Sequence, residues 1–197
     1  MNSNIIKDAV QLNVSAPKFK LQDIFDREID LESYRGKKVF IAFFRHAGCP
    51  FCNLRVHRLQ KVHEDLKAKG LEMIFFFESP KSALLNSTFH QEISPIPLIA
   101  DPEKIWYSTY ALEPSSSNTA KSHLTSFIST AIKAKLNSLP LGPPKDGESL
   151  TTMPAEFLLD EDLILRKLHY SKGLNDRIAI DHLYEFAGQK AKKLKVA

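Results

Sequence analysis

Two apolar runs, Val39 to Phe44 and Leu71 to Phe77, constrain this chain more than any other feature because of what separates them. An apolar run without alternation belongs to a strand buried on both faces, as in a parallel sheet covered by helices. Between the runs, from Asn53 to Lys69, Val56, Leu59, Val62 and Leu66 recur three, three and four apart, one stripe of an amphipathic helix. Gly70 follows at the position where helices commonly stop. The stretch 39–77 therefore predicts strand, helix and parallel strand, and with them an α/β fold.

The flanks extend this unit in both directions. Ala16 to Asp23 alternates with Phe19 and Leu21 on one side, and Ile29 to Leu31 repeats the pattern after the polar break Asp26-Arg27-Glu28, predicting a hairpin or strand pair. Beyond the second run, Pro80 breaks the chain. A helix over 81–91, a short strand from Pro95 to Asp101 and a helix at 102–112 packed through Trp106, Tyr107 and Tyr110 are expected next. The stretch 113–120 is polar and serine-rich, Leu124 to Leu136 has a helical period, and Leu139 to Gly147 is rich in Pro and Gly. The span 113–150 thus reads as a helical insertion that could cover the active-site edge of the sheet or make a homodimer contact. Strands at 155–159 and 163–170, turned at Asp160-Glu161-Asp162, and a helix from Asp176 to Ala187 with Ile178, Leu183 and Phe186 inward complete the chain.

With 197 residues, 43% of them hydrophobic, residues 1–197 are expected to form one well-buried domain. The net charge of +4 is spread along the chain without a recognition motif, which argues against a nucleic-acid partner, and the lysines from Lys190 to Lys195 read as a solvated end. The first residues lack the apolar stretch of a secretory signal, and no run approaches the ~18 apolar residues of a membrane span. A soluble, cytoplasmic protein with no membrane partner is the expectation.

The only two cysteines, Cys49 and Cys52, stand where the first strand hands over to the helix. In a reducing compartment such a pair is catalytic or metal-binding more often than structural. Pro50 suits the first helical position, which puts Cys49 at the N-cap, facing unsatisfied backbone N–H groups and the positive end of the helix dipole. From Ser33 to His63 there is no Asp or Glu, while Arg35, Lys37, Lys38, Arg45, Arg55, Arg58 and Lys61 are present, and a positive neighbourhood favours the thiolate. Cys49 is thus expected to be acidified and nucleophilic toward a peroxide oxygen or a disulfide sulfur, with Cys52 as the buried resolving thiol. Arg45 and His46 are candidates to tune the thiol or hold an anionic substrate, and equally candidates for solvated loop residues. A zinc site would have to recruit His46 and His57, which lie too close in sequence to resemble the usual second ligand pair, so no metal is expected.

Ala16-Pro17-Lys18-Phe19 with Leu21-Gln22-Asp23, then Leu31-Glu32-Ser33-Tyr34-Arg35-Gly36-Lys37-Lys38-Val39, then Phe43-Phe44-Arg45 and a cysteine, resemble the opening of the alkyl hydroperoxide reductase and thiol-specific antioxidant (AhpC/TSA) family, the peroxiredoxins. Phe44 to Leu54 resembles a peroxiredoxin-like branch with a Cys-Pro-aromatic-Cys-Asn-Leu segment, and Asp101-Pro102 and Met153 to Asp160 fall where the family has later strands. The resemblance implies a thioredoxin-like fold, a central mixed sheet flanked by helices, with Pro154 matching the cis-proline that faces the reactive cysteine. It implies a thiol-dependent antioxidant oxidoreductase that needs no bound cofactor and is restored by thioredoxin, glutaredoxin or glutathione. The chain departs from the family's Pro-x-x-x-Thr-x-x-Cys segment, with His46 three residues before Cys49. A thioredoxin- or glutaredoxin-like disulfide reductase, and a non-enzymatic or zinc-stabilised module on the same scaffold, therefore stay open.

Overall fold

Every residue of the first apolar run is buried because that run is the middle strand of a sheet with a hydrophobic core on each face. The computed structural model describes residues 10–112, 124–145, 148–149 and 151–188. In chain order the elements are β1 (Lys20–Gln22), β2 (Glu28–Asp30), a 3-10 turn (Leu31–Tyr34), β3 (Lys38–Phe44), α1 (Pro50–Ala68), β4 (Leu71–Phe77), α2 (Lys81–Leu85), α3 (Thr88–Gln91), β5 (Leu98–Ala100), α4 (Ile105–Thr109), α5 (Leu124–Leu136), β6 (Ala155–Leu159), β7 (Leu165–Tyr170) and α6 (Ile180–Gly188). β1 and β2 form the expected antiparallel hairpin. The main sheet runs β5-β4-β3-β6-β7, with β3, β4 and β5 parallel and β6 and β7 antiparallel, so the mixed sheet and the strand–helix–strand unit expected over 39–77 are both present.

Alternation along the two central strands sorts side chains between the faces. Phe40, Ala42 and Phe44 of β3 join Met73, Phe75 and Phe77 of β4 against Val56, Leu59 and Leu66 of α1 and Leu183 of α6. Val39, Ile41 and Phe43 join Ile74 and Phe76 on the other face, against Phe19, Leu31, Tyr107 and Tyr110. Fully burying each such side chain is worth about 1.5–3 kcal/mol, so the central strands are the most strongly anchored part of the fold.

A buried polar contact helps tie α6 to this core. Lys38 is 5% exposed, and its Nζ donates to the carbonyls of Phe186 at 2.8 Å and Ala187 at 3.2 Å, placing a cation at the negative end of α6. Lys38→Met is expected to cost about 1–3 kcal/mol in urea denaturation and to speed amide exchange near 183–188. Loss of stability with unchanged exchange there would assign the effect to another part of the core.

Three local expectations are revised. The helix foreseen over 81–91 is two short ones, because Ser87 is extended at φ −114° and ψ 112° and its hydroxyl engages His90 Nδ1 at 2.7 Å, one of the local bonds by which Asn and Ser interrupt helices. The last helix starts at Ile180 rather than Asp176, whose carboxylate is turned back to accept from Lys172 N–H at 2.8 Å. The Met153–Pro154 bond is trans; the cis peptide among the described residues is Ser94–Pro95. Pro154 leads straight into β6, and its carbonyl extends the β6–β7 ladder by accepting Ser171 N–H at 3.0 Å, the job of a strand-entry residue. The stretch 113–120 lies outside the described residues.

α5 packs along α1, as its helical period allows, but among its described side chains the larger apolar ones are not the buried ones. Ile128, Ile132 and Leu136 are 62%, 55% and 80% exposed, while Thr130 and Ala134 face inward. Among the described residues no helix is long and apolar enough to cross a membrane.

Candidate active site

The C-terminal end of β3 delivers Arg45 and His46 to a short break, and α1 begins at Pro50 with Cys49 at the N-cap (φ −74°, ψ 114°). The proline supplies the first helical residue, whose N–H would have no partner in any case. Arg45, His46, Cys49 and Cys52 are all buried, with Cys49 1% and Cys52 0% exposed, and both cysteines are free thiols. The backbone N–H of Arg45 donates to Cys52 Sγ at 3.3 Å, and Arg45 Nη1 lies 3.9 Å from Cys49 Sγ. Arg45, His46, Cys49 and Pro50 share one cavity of about 510 Å³ with Ala131 of α5 and with Leu141, Gly142, Pro143 and Pro144.

The segment after α5 is a strap across this cavity. Asn53 Nδ2 holds it by donating to Ala47 O at 2.7 Å and Pro140 O at 2.9 Å, and Gly142 N–H donates to Gly48 O at 3.1 Å. Past the apolar residues, Glu148 accepts from the Ser79 hydroxyl and from Lys145 N–H at 2.6 Å. Glu78, fully buried at the end of β4, accepts from Ser149 N–H at 3.1 Å and Thr152 Oγ1 at 2.7 Å and pairs with Lys104 Nζ at 3.1 Å. Among the described residues, 140–144 thus lie against the cavity that Cys49 lines.

Gly48 marks how close this approach is. A Cβ there would sit 2.7 Å from the Gly142 carbonyl oxygen, a backbone atom that can move away only if the strap moves. Gly48→Ala is expected to weaken the closed strap by about 1–3 kcal/mol. Since ~1.4 kcal/mol is tenfold in an equilibrium, iodoacetamide should alkylate Cys49 roughly 5- to 150-fold faster. An unchanged alkylation rate would show that the thiol is reached by another path.

The electrostatics separate the two thiols. Complete burial pushes Cys49 up, but the hydrogen bond with Cys52 and the charges of Arg45 and Arg177 outweigh it and bring its pKa down to about 6. Cys52 goes well above its ordinary value through burial, its hydrogen bond to Cys49 and the charge of Cys49. Burial, helped by Arg45, brings His46 down to about 4 against the opposing pull of Glu148, so its imidazole is neutral at pH 7.

The structure brings together Cys49, Cys52, Arg45, His46 and Pro50 but leaves Pro154 off the cavity lining. Sequence reasoning missed the acids. The acid-free window from Ser33 to His63 holds along the chain, yet the fold sets Glu148 3.9 Å from His46 and bonds Glu156 to Arg55 at 2.8 and 2.9 Å. Arg177, which acts on Cys49 from far along the sequence, was also missed. The signal for Glu156 was present: a carboxylate inside the apolar strand Ala155–Leu159 must have a buried partner. Arg177 had no such signal. Among the described residues, no group of three or more His, Cys, Asp or Glu is placed to hold a metal, so His46 and His57 do not join the cysteines as a ligand set.

A sequence profile described as the AhpC/TSA family matches residues 12–168. The thiol-disulfide oxidoreductases ResA of Bacillus thuringiensis (strain Al Hakam) and Bacillus anthracis are each 24% identical over 108 residues, 55% of this chain and 62% of theirs. The match thus spans less than two thirds of those relatives. The thiol peroxidase from Chromobacterium violaceum superposes with a TM-score of 0.59 at 16% identity, covering 89% of this chain and 85% of that one. The reduced 2-Cys peroxiredoxin from Plasmodium vivax gives 0.58 at 16% identity, covering 89% and 79%. Both share the fold, in agreement with the thioredoxin-like architecture expected.

Proposed function

Because this chain belongs to the AhpC/TSA family, we propose that it is a thiol-dependent oxidoreductase that reduces peroxides through Cys49 and closes the cycle through Cys52. One observation carries the reading: two buried thiols, hydrogen-bonded to each other at a helix N-terminus, are driven apart in acidity so that one is the nucleophile and the other waits. The Cys49 thiolate attacks the terminal peroxide oxygen, the O–O bond breaks, and the departing oxygen takes up a proton to leave as alcohol or water, with Cys49 oxidised to a sulfenate that becomes the sulfenic acid once protonated from solvent. Oxidation removes the negative charge that helps keep Cys52 protonated, while the lowering influence of Arg177 and Arg45 on Cys52 remains. Cys52 then attacks the Cys49 sulfur, water leaves, and an intramolecular disulfide forms. Thioredoxin, glutaredoxin or glutathione supplies the electrons that restore the dithiol. A cytoplasmic setting, with its reduced thiol pool, suits this cycle.

The test is peroxide consumption coupled to a thioredoxin or glutathione system. Cys49→Ser should abolish it, and Cys52→Ser should consume one equivalent of peroxide without thioredoxin-dependent turnover. Full activity in Cys49→Ser would overturn the reading. A second reading, disulfide reduction, draws support from the absence of the Pro-x-x-x-Thr residues before Cys49 and from the names of the ResA relatives. Turnover of insulin or a mixed disulfide without peroxide turnover would select it.

A further inference from the structure

We propose that His46 carries the proton in the peroxide step and that Glu148, brought in by the strap, orients it. The assignment rests on the peroxide branch of the proposed function. The His46 imidazole lines the same cavity as Cys49 and is 4% exposed. Its Nδ1 is buried without a hydrogen-bond partner and lies 3.9 Å from Glu148 Oε2. That carboxylate is itself held in place by the Ser79 hydroxyl and Lys145 N–H. A ring nitrogen facing a fixed carboxylate is the arrangement by which an acid orients a catalytic histidine, and such contacts are often long before substrate arrives. A proton on Nδ1, toward Glu148, leaves Nε2 with a free lone pair.

The step balances as follows. Cys49 S⁻ bonds to the terminal oxygen of RO–OH, and the O–O pair leaves with RO⁻. The terminal oxygen's proton passes to His46 Nε2 and from there to RO⁻, giving ROH and a Cys49 sulfenate. Cys49 is oxidised by two electrons, the peroxide is reduced by two, and His46 ends neutral as it began. An alkoxide is a poor leaving group without that proton, whereas a carboxylate leaves readily without it.

The leaving group therefore supplies the test. Single-turnover oxidation of the reduced full-length protein is measured with tert-butyl hydroperoxide, which releases an alkoxide, and with peracetic acid, which releases acetate. His46→Gln should slow the first reaction about 100-fold or more, the usual size of a lost proton transfer, and the second by less than about fivefold. Cys49 alkylation at pH 7 should stay within a few-fold of wild type, since the thiolate is untouched. Glu148→Gln should show the same selectivity in weaker form. Ser79→Ala, which loosens the same latch but keeps the carboxylate, should affect both oxidants alike. Equal losses with both oxidants in His46→Gln would overturn the role of His46, and selectivity in Ser79→Ala as large as in Glu148→Gln would overturn that of Glu148. A wild type inert to both oxidants would instead remove the peroxide branch itself, and this assignment with it.

Discussion

Replacing Glu156 with alanine is expected to lower the unfolding free energy by about 3–5 kcal/mol, more than any other single change proposed for this protein. Glu156 sits within β6 and is fully buried. Its Oε1 accepts from Arg55 Nε at 2.8 Å, its Oε2 accepts from Arg55 Nη2 at 2.9 Å and from Ile178 N–H at 2.8 Å, and Arg177 Nε lies 3.6 Å away. Arg55 also donates to Ile178 O at 2.8 Å, so the pair joins α1, β6 and the chain leading into α6. The alanine variant would leave Arg55 and Arg177, each buried, without their counter-charge, and an uncompensated buried charge is the costly outcome. Replacing both members, Arg55→Met with Glu156→Leu, should recover part of the loss because no Arg55 charge then remains to be neutralised. Urea midpoints of the two variants decide this. A loss below about 1 kcal/mol in Glu156→Ala would place the pair among exposed ion pairs, contrary to its burial.

That network also shows where the sequence was legible and where it was not. The apolar runs announced β3 and β4 because a strand covered on both faces has no polar side to display, and Gly70, in the left-handed region at φ +87°, marked the end of α1. The N-cap position of Cys49 was likewise legible, since Pro50 can start a helix but not continue one. Tertiary neighbours were another matter. The period of α5 identified a helix without saying which side would be covered, and among its described side chains Thr130 and Ala134 are buried while the larger Ile128, Ile132 and Leu136 stay exposed. The basic window around Cys49 was local information, whereas Glu148 and Arg177 reach the site through a strap and a loop more than 80 residues away in sequence.

The acidity split on which the proposed roles of the two thiols rest should be visible in stability. For the reduced protein, stability is expected to rise between about pH 6 and pH 9.0 and to fall above pH 9.0. Native Cys49 loses its proton near pH 6, but in the unfolded chain it keeps that proton until about 9.0, so across the window the unfolded state binds the extra proton and each pH unit favours the native state. Native Cys52 holds its proton well above 9.0, where the unfolded chain has released it; there the native state binds the extra proton and the slope reverses. Each slope is worth about 1.4 kcal/mol per pH unit at its limit. His46 and His90, with native pKa values of about 4, add a rise of their own only up to the ordinary histidine value of 6.5, so the interval from pH 7 to 9 isolates Cys49. Urea midpoints of wild type and Cys49→Ser, both kept reduced with a phosphine, separate the contributions. The difference between them should grow with pH over that interval. A constant difference would mean that Cys49 is not acidified in the folded protein, and with it would go the division of roles between the two thiols.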